Sequence, residues 1–420
     1  MDKKVGLAVT CTLLFAIGLS AQSSKKSFTF GGKPSAHITV VSSASIYSAD
    51  KGFGFESPSN VTCDTHGGCS SDKPFYFSVA VPEGNYRVTI TLGDATVATA
   101  TAVKAELRRL MFEPVNISKG HSETRTIIVN IRTPAISTGG EVKLKDREKT
   151  TEWRAWDDRL TLEFDGEHPG VRQISVEKVD VPTIYLLGDS TVCDQPLEPY
   201  ASWGQMITRF FDSSVAVANN AESGESLKSS LGAGRLDKVL SVIKPGDFLL
   251  IQYSHNDEKE KGDGVGAFTT FKALLKQYVE AARAKGATPI LLTPMHRRTF
   301  DASGKITNSH GDFPEAIRQI ANDANVALID LTAISKDLYE ALGREGSGVL
   351  FKQGDGTHHS NYGAYELARA IVGATQAQRL PLAKYLVRGI PPFDPKHPDP
   401  IATFAVPASP LVTDTKPLGN

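Results

Sequence analysis

Residues 183–194, TIYLLGDSTVCD, decide the fold of the second half of the chain. They begin with residues 184–187, an apolar run of the length and character expected of a buried strand. Gly188 follows directly and allows the chain to turn sharply. Ser190 is therefore expected at the carboxyl end of a strand, where open α/β sheets place their sites. The tripeptide at 188–190 is also common in ordinary turns, so its role depends on the rest of the sequence.

The chain after residue 181 alternates strand-like and helix-like segments. Between the strands, residues 268–285 carry an apolar stripe at helical spacing, and residues 362–380 are typical of a final helix. This alternation predicts a mainly parallel sheet covered by helices on both faces. The strand-like segments are residues 183–187, 215–219, 247–253, 288–293 and 326–331.

Residues 36–180 have a different pattern, with short alternating segments and no long helical periodicity. Turn signals separate these segments, and residues 82–85 are an example. The pattern predicts an all-β antiparallel sandwich over residues 36–180, and Val181-Pro182 marks the boundary to the next domain at 181–380. The strand-like segments are residues 37–41, 75–81, 86–92, 124–131 and 160–164.

The two ends of the chain have the composition of segments outside a folded core. Residues 1–21 are predicted to be a signal peptide, with two early lysines and an apolar run at 5–19. The alternative is a membrane anchor, but the run is shorter than the ~20 residues that a spanning helix needs. A secreted or periplasmic location is therefore expected, without membrane insertion. Residues 22–35 are predicted to be a linker, and the proline-rich residues 381–420 a surface tail or disordered segment.

Composition and cysteine content limit the other classes of function. The chain has 420 residues and a formal net charge of −1, so no basic excess indicates a nucleic-acid partner. Cys63 and Cys69 flank a turn-rich loop and either form a disulfide or remain two free thiols. A metal site there is less favoured, because no pair of histidines or cysteines has ligand spacing. Cys193 lies three residues after Ser190, but no local signature marks it as a nucleophile.

Four polar blocks carry the candidate chemistry. They occupy residues 188–190, 219–226, 252–257 and 355–360. The first three follow predicted strands, and the fourth precedes the final helix. Because parallel strands end at one edge of a sheet, the first three blocks are expected to converge.

The residue types in these blocks suit acyl transfer. Ser190 is the candidate nucleophile, and it needs a base such as His358 to take its proton. Asp355 can hold the imidazole of that histidine and stabilise its cation. The backbone N–H groups of Ser190 and Gly224 and the amide of Asn256 can stabilise the developing oxyanion.

Each candidate also has a structural interpretation. Gly224 can simply shape a turn, Asn256 can cap a helix that begins after it, and Asp355 can cap the final helix. Asp189 adjoins the candidate nucleophile and is expected to play a structural hydrogen-bonding role. His358 competes with other histidines, namely His255, His296, His310 and His359.

Taken together, the blocks resemble those of the SGNH (GDSL-type) hydrolases, in which Ser, Gly, Asn and His occur in this order. The resemblance covers roughly residues 183–380. It implies a flavodoxin-like α/β domain, a Ser-His-Asp triad, and no metal or cofactor. Ser254 departs from the family pattern, because it stands where the third block usually has glycine, and this substitution is expected to alter the loop that positions Asn256.

Details of the blocks look like the rhamnogalacturonan acetylesterases, which remove acetyl groups from pectin. These details are Gly-Asp-Ser-Thr, Ser-Trp-Gly-Gln at 202–205, Gln-x-x-His-Asn-Asp and Asp-Gly-Thr-His. Residues 75–86 and 156–164 are similar to the galactose-binding-like sandwich found ahead of some of these esterases. The resemblance implies cleavage of acetyl esters from a pectic polysaccharide. The alternatives are an esterase of acetylated xylan or of lipid or aryl esters, and an inactive carbohydrate-binding protein.

Two further expectations concern the substrate. Arg297 and Arg298 follow the fourth strand of the sheet, so they are expected at the catalytic edge, where they could bind a uronate carboxylate. The alternative is a solvated surface pair. The first domain is expected to pack against the second or position substrate without chemistry of its own, so a chain beginning near Val181 should still hydrolyse a small ester if it folds.

Overall fold

The computed structural model describes residues 25–33, 36–57 and 59–418, which form an all-β region followed by an α/β region. The predicted signal peptide and residues 22–24, 34 and 35 of the predicted linker lie outside the described residues. Among the residues described, no helix is long and apolar enough to cross a membrane.

The N-terminal region consists of two mainly antiparallel sheets that face each other. The strand order is β10-β7-β12-β1-β2 in one sheet, extended by β5 and β4, and β3-β6-β11-β8-β9 in the other. Cys63 and Cys69 form a disulfide between β4 and β5. A short helix, α1 (Asp146–Thr150), lies in the connection between β10 and β11. The strands are β1 (Lys26–Phe30), β2 (Thr39–Val41), β3 (Phe53–Phe55), β4 (Thr62–Cys63), β5 (Cys69–Ser70), β6 (Phe75–Ala80), β7 (Gly84–Leu92), β8 (Thr99–Ala105), β9 (Arg109–Ile117), β10 (Glu123–Ile131), β11 (Arg159–Asp165) and β12 (Gly170–Val179).

Strand β1 lies inside the segment predicted to be a linker. It pairs with β12 and with β2, and Phe28 and Phe30 are buried between the sheets. The ring of Phe30 packs edge-on against that of Phe77, with centroids 4.9 Å apart. Burial of two aromatic side chains stabilises this short strand, so residues 26–30 belong to the sandwich and not to a linker.

The α/β region confirms the predicted parallel sheet. Its order is β14-β13-β15-β16-β17, with every neighbouring pair parallel. This is the flavodoxin-like order, whose ligands bind beyond the carboxyl end of the first strand. The strands are β13 (Thr183–Gly188), β14 (Ala216–Asn219), β15 (Phe248–Gln252), β16 (Thr288–Leu292) and β17 (Ala327–Ile329).

Helices bury both faces of this sheet. Buried side chains of α2 and α8 pack on one face, and those of α4, α5 and α6 pack on the other. The apolar stripe predicted in residues 268–285 becomes a short π-helical turn (Ala267–Phe271) followed by α5. The helices are α2 (Trp203–Met206), α3 (Leu227–Gly232), α4 (Arg235–Leu240), α5 (Lys272–Ala284), α6 (Phe313–Asp323), α7 (Leu331–Gly346) and α8 (Asn361–Ala377).

The turn between β8 and β9 joins the two regions. Arg108 donates from Nη1 to the backbone oxygens of Gln195 and Tyr200, at 3.1 and 2.8 Å. Arg109 donates from Nε to Asp194 Oδ2 at 2.7 Å. Both arginines and Asp194 are buried, so the sandwich supplies the counter-charge for a carboxylate of the α/β region.

The proline-rich tail is bound to both regions. Val406 and Leu382 pack into the core under the α/β sheet. Lys104 of the sandwich donates from Nζ to Pro407 O and Ser409 Oγ, at 2.9 and 2.7 Å. Buried contacts therefore hold the tail against both regions.

Candidate active site

Ser190 lies just beyond β13 because the chain turns at Gly188. A Cβ at Gly188 would lie 2.5 Å from Val192 Cγ2 and 2.6 Å from Gln252 O, so only glycine fits. Asp189 Oδ1 accepts from the backbone N–H and the hydroxyl of Thr191, at 2.9 and 2.8 Å. This Asx turn fixes the loop, and the structure thus gives Asp189 the hydrogen-bonding role expected for it.

The structure brings Ser190, His358 and Asp355 together. His358 Nε2 lies 3.0 Å from Ser190 Oγ, and His358 Nδ1 lies 3.0 Å from Asp355 Oδ2. Asp355 Oδ1 accepts from the backbone N–H groups of Thr357 and His358, at 2.8 and 3.1 Å. The imidazole thus bridges the Ser190 hydroxyl and a carboxylate that accepts two backbone hydrogen bonds. This is the geometry of an activated nucleophile.

The pKa of Asp355 fits an ionised carboxylate. Partial burial acts to raise this pKa, but the hydrogen bonds from the His358 ring and from the Thr357 and His358 backbone outweigh it. The pKa of Asp355 therefore lies well below its usual range. Its negative charge can stabilise the imidazolium that forms when His358 accepts a proton.

The neighbouring histidines are engaged elsewhere. His359 Nε2 lies 3.0 Å from Tyr339 Oη, and burial lowers the pKa of His359 to about 3, with a smaller contribution from His358. His255 Nδ1 lies 3.3 Å from Asp189 Oδ2, and burial lowers the pKa of His255 to about 4. Neither ring contacts the candidate serine.

The three predicted oxyanion donors surround the same loop. Gly224 has a φ of +77°, which favours glycine, and it follows a turn in which Glu222 N donates to Gly188 O at 3.1 Å. Asn256 donates from Nδ2 to Glu225 O at 3.0 Å. Among the described residues, the backbone N–H groups of Ser190 and Gly224 meet no hydrogen-bond acceptor. Both groups are therefore available to a developing negative charge.

Ser254 keeps a conformation that normally requires glycine. Its φ is +142°, its side chain is fully buried, and its Oγ has no hydrogen-bond partner in the described structure. The backbone thus accepts strain at this residue, and Asn256 two residues later still contacts the Gly224 loop through Glu225.

The connection between β10 and β11 holds the Gly224 loop from the sandwich side. Lys145 donates from Nζ to Ser223 O at 2.7 Å and pairs with Glu225 at 2.8 Å. Arg147 pairs with Glu222. The sequence alone does not predict this role for the sandwich, because these residues lie about 80 positions from the loop and have no local signature.

A buried cluster of carboxylates lies behind this loop. Oxygens of Glu148, Glu152 and Glu222 approach within 4.8 Å of one another, a spacing that could hold a metal ion. Arg147 and Arg235 donate into the same cluster, and Arg235 Nη2 lies 2.7 Å from Glu148 Oε2. The guanidinium groups already balance the carboxylates, so the donor set fits a buried ion-pair network better than a cation site.

Arg297 and Arg298 lie beyond the carboxyl end of β16, as the sequence predicts. Arg297 donates from Nη1 to Ser309 O at 3.1 Å and pairs with Glu258. Arg298 donates from Nε to Ser347 Oγ at 3.0 Å. Both guanidinium groups are held by internal partners, so a substrate carboxylate has to compete with them.

A cavity of about 450 Å³ lies beside the oxyanion donors. Three separate parts of the chain line it: the sandwich connection, the α/β loops and the C-terminal tail. The lining residues are Lys145, Gly224, Ser226, Ser229, Asn256, Lys259, Glu260 and Leu418.

Comparison with known proteins shows the family to which the sequence is similar. Residues 186–367 match the GDSL-like Lipase/Acylhydrolase family. The chain is 39% identical over 219 residues to rhamnogalacturonan acetylesterase RhgT of Bacillus subtilis (strain 168), covering 49% of this chain and 94% of that protein. It is 30% identical over 370 residues to the uncharacterized esterase YxiM of the same organism, covering 84% of this chain and 90% of that protein. The crystal structure of YxiM aligns with 85% of this chain and 99% of its own, with 25% identity and a TM-score of 0.47.

Proposed function

The chain belongs to the GDSL-like lipase/acylhydrolase family and is a carboxylic ester hydrolase, and from this premise we propose that it removes acetyl groups from a pectic polysaccharide. One observation carries the proposal of the reaction. The imidazole of His358 lies within hydrogen-bonding distance of both Ser190 Oγ and Asp355 Oδ2, at 3.0 Å each. That arrangement supports a serine nucleophile with its own base.

In the first step, Ser190 Oγ attacks the carbonyl carbon of the acetyl ester while its proton moves to His358 Nε2. Asp355 stabilises the resulting imidazolium through Nδ1. The negative charge on the carbonyl oxygen is stabilised by the N–H groups of Ser190 and Gly224 and by the amide of Asn256. The bond from the carbonyl carbon to the sugar oxygen then breaks, and His358 returns its proton to that oxygen.

In the second step, water attacks the acetyl group on Ser190. His358 takes a proton from the water and returns it to Ser190 Oγ, while acetate leaves. These steps use only side chains and backbone groups of the protein, and they need no metal ion or cofactor.

The pectic substrate is supported by the relatives. RhgT and the relative YesY of Bacillus subtilis, 35% identical over 212 residues, are named as an acetylesterase and a probable acetylesterase of rhamnogalacturonan. Arg297 and Arg298 remain proposed contacts for uronate carboxylates. The apolar run at residues 5–19 supports export, where such a polysaccharide would be met. The similarity of the sandwich to galactose-binding-like domains supports a role in holding the substrate.

The proposal is tested by measuring acetate release from acetylated rhamnogalacturonan, acetylated xylan and 4-nitrophenyl acetate under the same conditions. We expect hydrolysis of all three, with the highest kcat/KM on rhamnogalacturonan. A higher kcat/KM on xylan would replace the pectic substrate with xylan. Release from none of the three would leave the inactive carbohydrate-binding protein as the better interpretation.

A further inference from the structure

The last part of the C-terminal tail is held beside the active site by Glu198. Ser409 N donates to Glu198 Oε1 at 2.8 Å, and Thr413 N donates to Glu198 O at 2.7 Å. Glu198 N donates in turn to Leu411 O at 2.8 Å. Glu198 is buried and pairs with Arg108 of the sandwich, so the tail is fixed up to residue 413.

Beyond residue 413 the tail passes the side of the site that holds the histidine. Asp414 Oδ1 lies 3.4 Å from Lys352 Nζ, and Lys352 N donates to His358 O at 3.2 Å. The ring of Tyr200 packs edge-on against His358, with centroids 5.9 Å apart. Burial raises the pKa of Tyr200, and the charges of Asp355 and Asp414 add to this rise.

Four residues later the tail reaches the opposite side of the site. A Cβ on Gly224 would lie 3.1 Å from Leu418 Cβ, so this leucine packs directly on the glycine of the proposed oxyanion hole. Four residues of extended chain span at most about 14 Å. Residues 414–418 therefore join the histidine side of the site to Gly224 over a short distance, and Ser190 between these two sides is only 1% exposed.

We propose that residues 414–418 form a wall of the substrate pocket that selects short acetylated oligosaccharides over intact polysaccharide chains. The proposal rests on the proposed esterase function and narrows its preferred substrate from the intact pectic polysaccharide to short fragments of it. A polysaccharide acetylated within its chain needs a groove that is open on both sides of the acetylated sugar. A crossing segment closes one side and leaves the open depression beside Gly224, which Leu418 also lines, for a short substrate.

The crossing segment is held weakly enough to be removed without damage to the fold. Leu418 is 53% exposed, and the Asp414 carboxylate is fully exposed where it meets Lys352. An exposed ion pair of this kind contributes little to stability. The last side chain of the tail that is buried in the described structure is Ser409, so a chain that ends at Thr413 keeps its anchoring contacts.

The experiment compares the full chain with a chain that ends at Thr413. For each, kcat/KM per acetyl group is measured on acetylated rhamnogalacturonan and on oligosaccharides cut from the same preparation. Removal of the wall is expected to raise the ratio of polymer to oligosaccharide kcat/KM about tenfold, which corresponds to about 1.4 kcal/mol of access cost. Val412→Ala is the matched control, because this apolar side chain is also exposed but precedes the crossing, and it should leave the ratio unchanged.

The outcomes separate this proposal from the proposed function. If the full chain hydrolyses 4-nitrophenyl acetate but the shortened chain shows the same polymer-to-oligosaccharide ratio, the wall is contradicted and the esterase stands. Loss of hydrolysis on both polymer and oligosaccharide in a folded shortened chain also contradicts it, because the segment would then bind substrate. If no form hydrolyses the aryl acetate, the esterase function itself is wrong. If the shortened chain does not fold, Leu418→Gly in the full chain must raise the ratio at least about threefold, or the proposal is rejected.

Discussion

At the scale of single residues, Ser254 carries strain that serves the active-site loop. Its φ of +142° is rarely adopted by residues with side chains, and its Oγ is buried without a partner in the described structure. Such conformations cost of the order of 1–3 kcal/mol. This strain lies two residues before Asn256, whose amide contacts the Gly224 loop.

We therefore predict that Ser254→Gly stabilises the protein. Glycine relieves the strain and removes the unpaired hydroxyl, while its greater freedom in the unfolded chain offsets part of the gain. The free energy of unfolding should rise by about 1 kcal/mol, as measured by urea denaturation, and aryl acetate hydrolysis should stay within about twofold. A lower free energy of unfolding would show that Ser254 is not strained.

Two adjacent histidines allow a sharp test of the proposed base. His358 contacts Ser190 and Asp355, whereas His359 contacts Tyr339. We predict that His358→Ala lowers kcat on 4-nitrophenyl acetate by at least about 10³-fold with little change in Tm. His359→Gln should lower Tm because it disturbs a buried contact, yet keep measurable turnover. If His359→Gln abolished turnover and His358→Ala kept it, His359 would be the base.

The sequence could identify the candidate site residues because each one stands in one of four short motifs, three at strand ends and one before the final helix. Ser190, Gly224, Asn256, Asp355 and His358 were found in this way, and the structure places them around one loop system. Lys145 and Leu418 could not be found, because each touches this site only through folding of a distant segment. No local pattern distinguishes such residues from ordinary surface positions.

At the scale of elements, the connection that contains α1 acts as a support for the Gly224 loop. Glu148 of α1 pairs with Arg235, both fully buried, and Arg147 pairs with Glu222. Burial raises the pKa of Glu152 to about 9, and the neighbouring charge of Glu222 adds to the rise. Glu152 is therefore protonated in the folded protein at neutral pH, although it ionises in the unfolded chain above about pH 4.3.

This difference predicts a pH-dependent effect of Glu152→Gln. Between about pH 4.3 and 9 the folded chain retains a proton that the unfolded chain has released, so stability falls as pH rises. The neutral glutamine removes this dependence. The free energy of unfolding of the variant should equal that of the parent near pH 4.5 and exceed it by at least about 1 kcal/mol at pH 8.

Glu148→Gln is the matched control for this prediction. The Arg235 guanidinium and other hydrogen-bond donors outweigh burial and hold the pKa of Glu148 below its usual value. Its charge therefore stabilises the fold at pH 8, and removal of one partner of a buried pair should cost about 3–5 kcal/mol. Urea denaturation of both variants at pH 4.5 and pH 8 shows whether each substitution raises or lowers the free energy of unfolding. Destabilisation by Glu152→Gln at pH 8 would contradict the raised pKa of Glu152.

Elements with strong periodicity could be predicted from the sequence, and irregular ones could not. All five predicted strands of the parallel sheet are present, with every end within two residues of its predicted position. Strand β1 was missed because five residues with two buried phenylalanines give too short a pattern. The apolar stripe at residues 268–285 predicts that Phe268 is buried. Phe268 is instead 46% exposed, because the π-helical turn rotates it away from the buried face of α5.

At the scale of the whole molecule, charges of the sandwich region form ion pairs with buried charges of the α/β region. Asp194 and Glu222 of the α/β region are paired with Arg109 and Arg147 of the sandwich region. From the sequence alone, the α/β domain is expected to hydrolyse a small ester without the sandwich if it folds. These contacts lead to a different expectation, because the catalytic loop depends on partners from the other region.

We predict that a chain beginning at Val181 does not form an active enzyme. Each of the two buried carboxylates would lose its arginine, at a cost of about 3–5 kcal/mol apiece, which is comparable to the whole stability of a typical domain. Circular dichroism and hydrolysis of 4-nitrophenyl acetate, measured beside the full chain, check this expectation. A soluble, folded and active chain from residue 181 would show that the sandwich is dispensable for catalysis.

We expect ester hydrolysis to take place at Ser190. The nearby thiol is a poor rival, because Cys193 is buried and burial raises its pKa well above the usual value. The most direct test is the rate of acetate release from 4-nitrophenyl acetate and acetylated rhamnogalacturonan by the parent, Ser190→Ala and Cys193→Ala. We predict that Ser190→Ala lowers kcat on both substrates by about 10⁴- to 10⁶-fold at an unchanged Tm, while Cys193→Ala remains active. Turnover by folded Ser190→Ala within about tenfold of the parent would contradict the account.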